Sequence, residues 1–366
     1  MSVRMKDIAR DLKVSIVTVS KVLRNHSDIS PETRARVLKR ARELHYQPNW
    51  AARSLVTGRS YMIGLIVPSL VHPFFAEVAR GISKKIRRSG YSLVITSAEE
   101  DPKLEQQEIE HLLARQVDAL IIASTQLSFG ESQRRIETRN VPYILVDRNF
   151  SDLRANYVGA DNDEIGALAT QHLIECGCHH IAHICGPMIS TGTGRLKGYR
   201  RALERHGLKV PPGYEVAGSS GDDDAEASGY EAMRKLMALR PRPDGVFCFN
   251  DPTAVGAMKA IFDAGLGIPD DFAIVGAGNF GYDSLLCVPL SSIDQSSASL
   301  GERAAKLALG LIDSKDRSRP RTIILPPRLV VRESSRKGGS CNAVEPGATS
   351  TKDSPSHALS RPLSAP

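Results

Sequence analysis

The first 48 residues contain three short stretches in which apolar residues recur every three or four positions, the period of an amphipathic helix. Ser15 precedes the second stretch and Ser30-Pro31 the third, and these residue types favour a helix start. Together with a tight Lys13-Val14 turn, three such helices predict a helix-turn-helix unit. The predicted helices cover residues 5–12, 16–23 and 31 to about 45. The residues expected to face inward are Met5, Ile8, Ala9, Leu12, Val19, Val22, Leu23, Val37, Leu38, Ala41 and Leu44.

From Tyr61 onward, apolar runs of strand length alternate with amphipathic stretches of helix length. This alternation predicts parallel sheets with helices on both faces, and the chain is long enough for two such lobes. The predicted strands cover residues 63–68, 92–97, 117–124, 142–147, 180–186, 244–250 and 272–278. The predicted helices lie near residues 74–89, 102–115, 163–175, 194–206, 225–239, 253–265 and 297–313.

Charge is concentrated at one end of the 366 residues. Residues 1–60 hold thirteen Lys and Arg against five Asp and Glu, a net +8, whereas the whole chain carries +7. A basic head on a near-neutral body predicts a nucleic-acid-binding module joined to a domain that binds something else. No apolar run reaches the roughly 18 residues of a transmembrane helix, and the amino-terminal sequence lacks the apolar core of a signal peptide. We therefore expect a cytoplasmic protein with no membrane segment.

The segment KDIARDLKVSIVTVSKVLRN, at residues 6–25, resembles the DNA-binding head of the LacI family of bacterial repressors. The likeness extends over about 330 of the 366 residues, and motifs of this length in this order are highly specific. The resemblance implies a body similar to the periplasmic sugar-binding proteins, with two doubly wound α/β lobes of parallel strands, three crossovers and a ligand in the cleft. The further matching segments are SPETRARVLKRARELHYQPNWAARSL at 30–55, IGLIVPSLVHPFFAEVARGI at 63–82, GPMISTGTGRLKGY at 186–199, RPDGVFCFND at 242–251 and LPPRLVVRES at 325–334.

The domain boundaries follow from pattern and resemblance together. The segment at 49–60 is too short for an independently stable helix, so we predict a hinge that orders against a partner. The Ser-, Pro- and Gly-rich end of the chain is predicted to be disordered. The predicted domains are an all-α helix-turn-helix head (1–48), a hinge (49–60), a ligand-binding and dimerisation body (61–334) and a tail (335–366). The two lobes are predicted to cover approximately 61–158 plus 290–320, and 159–289 plus 321–334.

The resemblance also assigns roles in the head. It places Ile16 and Val17 at the two positions that vary with the operator, although two β-branched residues could instead be buried against the body. It places Leu55 at the leucine that kinks the operator centre from the minor groove. Family members often carry a threonine where Arg4 stands, so we expect the loss of a helix cap worth about 1 kcal/mol. The predicted DNA-binding residues are Ser15, Ile16, Val17, Thr18, Ser20, Lys21, Asn25, Asn49, Arg53 and Leu55.

In the body, the resemblance places Arg195 and Asn250 at positions that typically contact the effector. Many relatives carry an aromatic residue and an aspartate where Ala277 and Gly278 stand, so that carboxylate is missing and Asn279 is the nearest polar replacement. The aromatic stack of the purine-responsive members is also missing, since Ser220 stands there, so a sugar or sugar acid is favoured as ligand. The predicted effector-binding residues are Ser69, Phe74, Asp147, Arg148, Arg195, Asn250 and Asn279.

Other patterns are given structural interpretations. The C-x-C-H-H-x-x-H run from Cys176 to His183 suggests zinc, but its spacing across a loop and a strand is awkward for a tetrahedral site, so we predict no metal or other cofactor. Gly192-x-Gly194 lacks the rest of a phosphate-binding loop. The charged run at 99–113 is interpreted as the solvated face of a helix. No G-x-S-x-G motif of a hydrolase is present.

The sequence thus predicts a homodimeric DNA-binding transcription regulator, most simply a repressor, that binds a pseudo-palindromic operator in double-stranded DNA under the control of a small-molecule effector. One alternative is a solute-binding receptor without DNA function, which the basic head disfavours. The other is a doubly wound enzyme with a basic appendage, which the lack of a catalytic constellation disfavours.

Overall fold

The computed structural model describes residues 3–23, 27–46, 54, 57–218, 224–314 and 319–336. The predicted DNA-binding residues Asn25, Asn49, Arg53 and Leu55 lie outside the described residues, as do Ser220 and most of the predicted tail. The chain divides into two compact units, Met1–Ala160 with Ser296–Leu325, and Asp161–Gln295 with Pro326–Pro366.

The described helices and strands confirm an all-α head followed by an α/β body. The helices are α1 (Met5–Leu12), α2 (Ile16–Leu23), α3 (Pro31–Glu43), α4 (Pro73–Arg87), α5 (Pro102–Ala114), α6 (Gly130–Thr138), α7 (Asn162–Glu175), α8 (Ser190–Arg205), α9 (Ala225–Met237), α10 (Asp251–Asp263) and α11 (Ser297–Asp313). The strands are β1 (Met62–Val67), β2 (Ser92–Ser97), β3 (Ala119–Ile122), β4 (Tyr143–Val146), β5 (Asn156–Ala160), β6 (Ile181–Cys185), β7 (Glu215–Ala217), β8 (Gly245–Cys248), β9 (Ala273–Gly278), β10 (Ser291–Asp294), β11 (Thr322–Leu325) and β12 (Arg328–Val330).

Three helices of the head pack around one small apolar core, formed by Ile8, Ala9, Val19, Val22, Val37 and Ala41. The helical pattern predicts that Leu38 faces this core, but its side chain is 39% exposed. Val37 precedes it by one position and is fully buried, so the helix turns Leu38 away from the core.

The start of α1 does not depend on the missing threonine. Asp7, three residues into the helix, accepts a hydrogen bond from the Arg4 backbone N–H at 2.9 Å. A carboxylate near a helix amino terminus also interacts favourably with the helix dipole. The carboxylate therefore supplies part of the stabilisation expected from a side-chain cap at position 4.

The first lobe, which shares the first unit with the head, is built on a sheet of six parallel strands in the order β11-β5-β4-β3-β1-β2. The central strands β3 and β4 are buried along their whole length. The second lobe has the matching order β12-β10-β9-β8-β6-β7, with only β12 antiparallel to its neighbour β10. Both lobes are therefore doubly wound, as predicted.

Glycines allow three helix pairs to pack backbone against backbone. A Cβ atom at Gly81 of α4 would lie 2.0 Å from the Ala298 carbonyl oxygen of α11, and one at Gly301 of α11 would lie 2.1 Å from the Val78 oxygen of α4. The same reciprocal arrangement joins α7 to α8 through Gly166 and Gly198, and α9 to α10 through Gly229 and Gly256. Any larger residue at these positions would push the helices apart.

The sequence pattern does not predict α6 or the strands β5, β7, β10, β11 and β12. Three of these strands, β7, β11 and β12, lie at sheet edges and are only partly buried, so they lack the continuous apolar run of a central strand.

The predicted lobe and tail boundaries need three corrections. Residues 290–320 are assigned by the sequence to the first lobe, but β10 pairs with β9 of the second lobe. Residues 321–334 are assigned to the second lobe, but β11 pairs with β5 of the first lobe. The predicted tail begins at Ser335, whereas Ser335 is fully buried and its hydroxyl lies 2.8 Å from His172 Nε2. In each case the pairing with a distant segment, which no local pattern reveals, decides the boundary.

Candidate DNA-binding and ligand-binding sites

The amino-terminal end of α2 presents the side chains predicted to contact DNA. Ser15 caps the helix by accepting the Thr18 N–H at 3.0 Å, and the two hydroxyls lie 2.9 Å apart. Ile16 and Val17 are 51% and 62% exposed, so no segment within the described residues buries them. Ser20, one turn further along, is partly buried.

Lys21 lies near the end of α2 and forms an ion pair with Asp28. Both side chains are partly exposed, so the pair is weak and the ammonium group can exchange this partner for a phosphate. Along its length, α2 thus offers hydroxyls and two exposed apolar side chains at its amino-terminal end, and one cation in its last turn.

In the first lobe, Ser69 and Phe74 follow β1, Ser69 in the loop before α4 and Phe74 in its first turn. The Ser69 hydroxyl is buried and accepts the backbone N–H groups of Val71 and His72 at 3.2 and 3.4 Å. The Phe74 ring is 4% exposed and packs edge-on against Phe75 with ring centroids 5.2 Å apart. Both side chains therefore also hold the entry to α4.

Asp147 and Arg148 follow the carboxyl end of β4. Asp147 has a left-handed backbone, with φ of 64°, which turns the chain directly after the strand. Arg148 is 5% exposed, pairs with Glu100 at 3.3 Å and donates to the Ser124 carbonyl oxygen at 3.3 Å. A guanidinium group in this environment is held in a fixed orientation at the carboxyl edge of the sheet.

Glu105 holds the loop that contains Ser124, whose carbonyl oxygen accepts a hydrogen bond from Arg148. Its carboxylate is fully buried and accepts hydrogen bonds from the Ser124 hydroxyl at 2.7 Å, the Thr125 N–H at 2.5 Å and the Gln126 side-chain amide at 2.6 Å. The interpretation of residues 99–113 as a solvated helix face is therefore wrong for Glu105. Its position in the sequence, one turn into a charged helix, carries no signal of burial.

Arg195, on α8, is held by three directed hydrogen bonds within the second lobe. Its Nε donates to Asn162 at 3.1 Å, and its two terminal nitrogens donate to the Phe249 carbonyl at 2.5 Å and the Gln295 side chain at 2.8 Å. The guanidinium carbon also lies 4.5 Å from the centre of the Phe249 ring. Arg195 thus joins segments from three parts of the second lobe, and Asn162, Phe249 and Gln295 are site residues that the sequence does not single out.

Asn250 lies in the short connection between β8 and α10. It caps α10 by accepting a hydrogen bond from the Thr253 N–H at 2.9 Å. Asn279 lies after β9 with φ of 55°, and its side-chain oxygen accepts from Arg332 at 2.6 Å. Its backbone N–H donates to the Asp251 carboxylate at 2.6 Å. The two predicted asparagines are therefore linked through Asp251, the residue next to Asn250.

Two buried carboxyl groups meet beside Asn279. Burial, together with the charge of Asp251, raises the pKa of Asp283 to about 9, which favours the neutral form of this carboxyl group at pH 7. Burial also raises the pKa of Asp251. A Cβ at Gly276 or Gly278 would lie 2.2 or 2.6 Å from an oxygen of Asp251, and Gly278 has φ of 153°. The missing carboxylate at position 278 thus coincides with space taken by Asp251.

The histidines of the C-x-C-H-H-x-x-H run make separate contacts at β6 and just before it. Among the residues that the structure describes, no group of three or more His, Cys, Asp and Glu side chains is placed to hold a metal ion. His179 and His180 precede β6, and their backbone N–H groups donate to Asp244. His183 is fully buried, stacks on Phe247 at 4.5 Å and donates through Nδ1 to the Phe247 carbonyl at 2.9 Å.

His183 predicts a pH dependence of stability. Burial lowers its pKa from 6.5 to about 4. Between pH 6.5 and pH 4, the histidine is therefore protonated in the unfolded chain but neutral in the native state. The contribution of His183 to the free energy of unfolding is therefore fully present above pH 6.5. It falls by about 3 kcal/mol as the pH drops toward 4. We expect His183→Phe, which keeps the ring stack, to remove this part of the pH dependence in urea unfolding from pH 7.5 to 4.5. His180→Gln, at an exposed position, is the control, and equal slopes for all three proteins would contradict the prediction.

Comparison with known proteins bears on both sites. Residues 4–49 match the family model described as bacterial regulatory proteins, lacI family, and residues 60–333 match that of periplasmic binding proteins and the sugar binding domain of the LacI family. The chain belongs to the LacI family.

Characterised relatives of this LacI-family chain span nearly its whole length. The ribose operon repressor of Escherichia coli strain K12 is 35% identical over 326 residues, or 88% of this chain and 97% of that protein. The transcriptional repressor PurR of Mannheimia succiniciproducens is 32% identical over 334 residues, or 91% and 98%. A solved structure of the lac repressor dimer bound to operator and the anti-inducer ONPF has a TM-score of 0.79 at 26% identity, covering 92% of this chain and 99% of that one.

Membership of the LacI family indicates the general function of the chain. The LacI-family chain is a DNA-binding transcriptional regulator whose DNA binding is controlled by a small molecule. None of the helices within the described residues combines the length and the apolar character needed to cross a membrane.

Proposed function

We propose that this chain is a homodimeric, cytoplasmic repressor that binds a pseudo-palindromic operator. Its operator affinity falls or rises when a sugar-class molecule binds the body. The observation that carries the DNA half of this proposal is the exposed amino-terminal end of α2, where Ile16 and Val17 stand clear of the head core. A recognition helix enters the major groove with this end. The chain acts by binding, and catalysis has no part in the proposal.

The proposed roles in the head follow from side-chain chemistry. Ser15 and Thr18 suit phosphate oxygens, whereas Ile16 and Val17 can contact only thymine methyl groups or exclude water. Lys21 supplies a cation that can leave Asp28 for the duplex. Ser20, Asn25, Asn49, Arg53 and Leu55 complete the proposed DNA-binding set, the last of them as the minor-groove wedge.

The proposed ligand set has two halves. The first lobe contributes Ser69, Phe74, Asp147 and Arg148 at the carboxyl ends of β1 and β4, and the second lobe contributes Arg195, Asn250 and Asn279. We propose that each half takes part in effector recognition, with the guanidinium groups binding hydroxyl pairs or a carboxylate. A sugar or sugar acid fits the polar character of both sets, and the sugar-binding description of the matching family supports this class.

Affinity selection of random duplexes by the purified full-length chain tests the proposed DNA function. We expect an enriched palindrome with a centre that kinks easily. The double variant Ile16→Ala/Val17→Ala should fold normally, because both side chains are exposed, but lose about 1 kcal/mol of preference at one or two positions in each half-site. Binding without any enriched sequence, lost steeply with salt, would contradict the proposal.

The enriched duplex then serves to test the ligand. Operator affinity is measured with and without saturating D-ribose, other pentoses and hexoses, and the corresponding sugar acids. Because binding linkage is reciprocal, a sugar that changes operator affinity must itself bind with an affinity that the operator changes by the same factor. If no member of the panel shifts operator affinity although the duplex is bound, the sugar class is wrong and the DNA function stands.

A further inference from the structure

One edge of the first-lobe sheet collects basic residues. Its six strands are parallel, so the segments that lead into them all lie at the same edge, which we call the entry edge. Every one of these segments contains at least one arginine. The entry-edge arginines are Arg59 before β1, Arg87 and Arg88 before β2, Arg115 before β3, Arg139 before β4, Arg154 before β5, and Arg319 and Arg321 before β11.

These cations are almost uncompensated. Arg59 pairs with Asp313 at 2.8 Å, but the other entry-edge arginines are exposed and, within the part of the chain that the structure describes, form no ion pair. The five residues before each of these strands include only two acidic residues, Asp118 and Asp152. Asp118 accepts the backbone N–H groups of Ser60 and Tyr61, each at 2.9 Å, so its carboxylate holds the start of β1.

Helix dipoles explain only part of the arrangement. Arg88, Arg115 and Arg139 directly follow α4, α5 and α6, where a cation interacts favourably with the helix carboxyl terminus. Arg154, Arg319 and Arg321 do not cap any described helix. In the second lobe, the five residues before the parallel strands β6, β7, β9 and β10 include no Lys or Arg. Only β8 is preceded by arginines, Arg240 and Arg242, and Arg242 pairs with Asp271 at 3.0 Å. The accumulation is therefore a property of the first lobe and not of the fold.

The entry edge is also where the chain arrives from the DNA-binding head. Residues 47–59 connect α3 and its following turn to Ser60 and β1, and thirteen residues span at most about 45 Å. A duplex held by the head is thereby kept within reach of the entry edge. Duplex DNA presents a dense row of phosphates, and guanidinium groups bind phosphate through paired hydrogen bonds.

We propose that the entry edge is a second DNA-contacting surface, which binds the phosphate backbone of the duplex that the head holds. The proposal rests on the proposed DNA function. Because phosphate contacts carry no base information, the entry edge adds affinity and salt dependence but no sequence preference.

The test uses the full-length chain on a 40-bp duplex that carries the selected operator. The variant replaces Arg87, Arg88, Arg139 and Arg154 by glutamine. Each lost phosphate contact lowers the slope of log affinity against log salt by about 0.9, so we expect a slope smaller by about 2 or more per chain. The ratio of operator to scrambled-duplex affinity should stay unchanged.

A second variant, with Arg205, Lys209, Arg234 and Lys235 replaced by glutamine, removes the same charge from exposed positions of the second lobe. We expect this variant to keep the wild-type slope. Equal slopes for the wild type and the entry-edge variant, or an equal loss in both variants, would overturn the proposal. If the wild type prefers no sequence at all, the proposed DNA function fails, whereas sequence preference with unchanged slopes removes the entry edge alone.

Discussion

Arg195→Ala is expected to lower the free energy of unfolding of the second lobe by about 3 kcal/mol. Arg195 is 3% exposed and its guanidinium group donates to Asn162, to the Phe249 carbonyl and to Gln295, so its removal takes a donor from two buried acceptors and one partly buried acceptor. Arg195→Lys should recover little, because an ammonium group lacks the planar fork that reaches all three. Urea unfolding of the full chain, followed by circular dichroism, measures the loss.

Arg205→Ala, at an exposed position near the end of the same helix, provides the matched control and should change stability by less than about 0.5 kcal/mol. If Arg195→Ala were no more destabilising than Arg205→Ala, the three hydrogen bonds would not stabilise the lobe. The Lys variant also tests the proposed ligand role of Arg195. In titrations that follow operator affinity, it should require roughly 10- to 100-fold more sugar for the same change, since a charged hydrogen bond is worth about 1.5–3 kcal/mol.

Two glycines of α11 should respond to alanine with opposite signs. A Cβ at Gly301 would lie 2.1 Å from the Val78 carbonyl oxygen and 3.0 Å from the Ile82 nitrogen, so the backbone of α4 must move away. We expect Gly301→Ala to cost about 3 kcal/mol. Gly310, nine residues later, is exposed, and within the described residues no atom outside the local helix backbone lies within 4 Å of the position that an added methyl group would take. Gly310→Ala should therefore gain about 1 kcal/mol from helix propensity.

Both variants replace glycine by alanine in α11, and both are measured by urea unfolding. The difference between their urea midpoints therefore reports the effect of the contact between α4 and α11. If Gly301→Ala stabilised the protein as much as Gly310→Ala, α4 and α11 would adjust to the added methyl group without cost. Equal destabilisation by both variants would show that the loss does not come from the helix contact. Either result would contradict the prediction. The double variant should give the sum of the two, because the sites are more than one helical turn apart and share no partner.

The sequence predicts those elements whose burial is continuous. The strands around Leu120, Ile144 and Val246 lie in sheet centres, and their apolar runs are unambiguous. Edge strands such as β11, where Thr322 is exposed and Ile324 is 46% exposed, give no such run. Their place depends on pairing with a distant strand, which no local pattern encodes.

The candidate site divides in the same way. The resemblance to the LacI family supplies Arg195 and Asn250, and the structure shows both buried at positions fixed by hydrogen bonds. It cannot supply Glu105, which resembles a solvated helix residue until the loop after β3 folds over it. Nor can a residue list show that Asp251 fills the space beside Gly278. These residues come together only through tertiary packing. The periodicity of apolar residues along the sequence therefore cannot predict their contacts.

The glycine contact between α4 and α11 has a consequence for how the polypeptide is made. Residues 73–87 leave the ribosome early, but their partner helix, residues 297–313, is synthesised only after the whole of β6 to β10. The DNA-binding head, whose core is complete by Ala41, can fold long before that. A translating ribosome therefore carries a formed head on a first lobe that still lacks α11 and β11, so premature termination shortly before residue 297 yields a DNA-binding unit without its complete control domain.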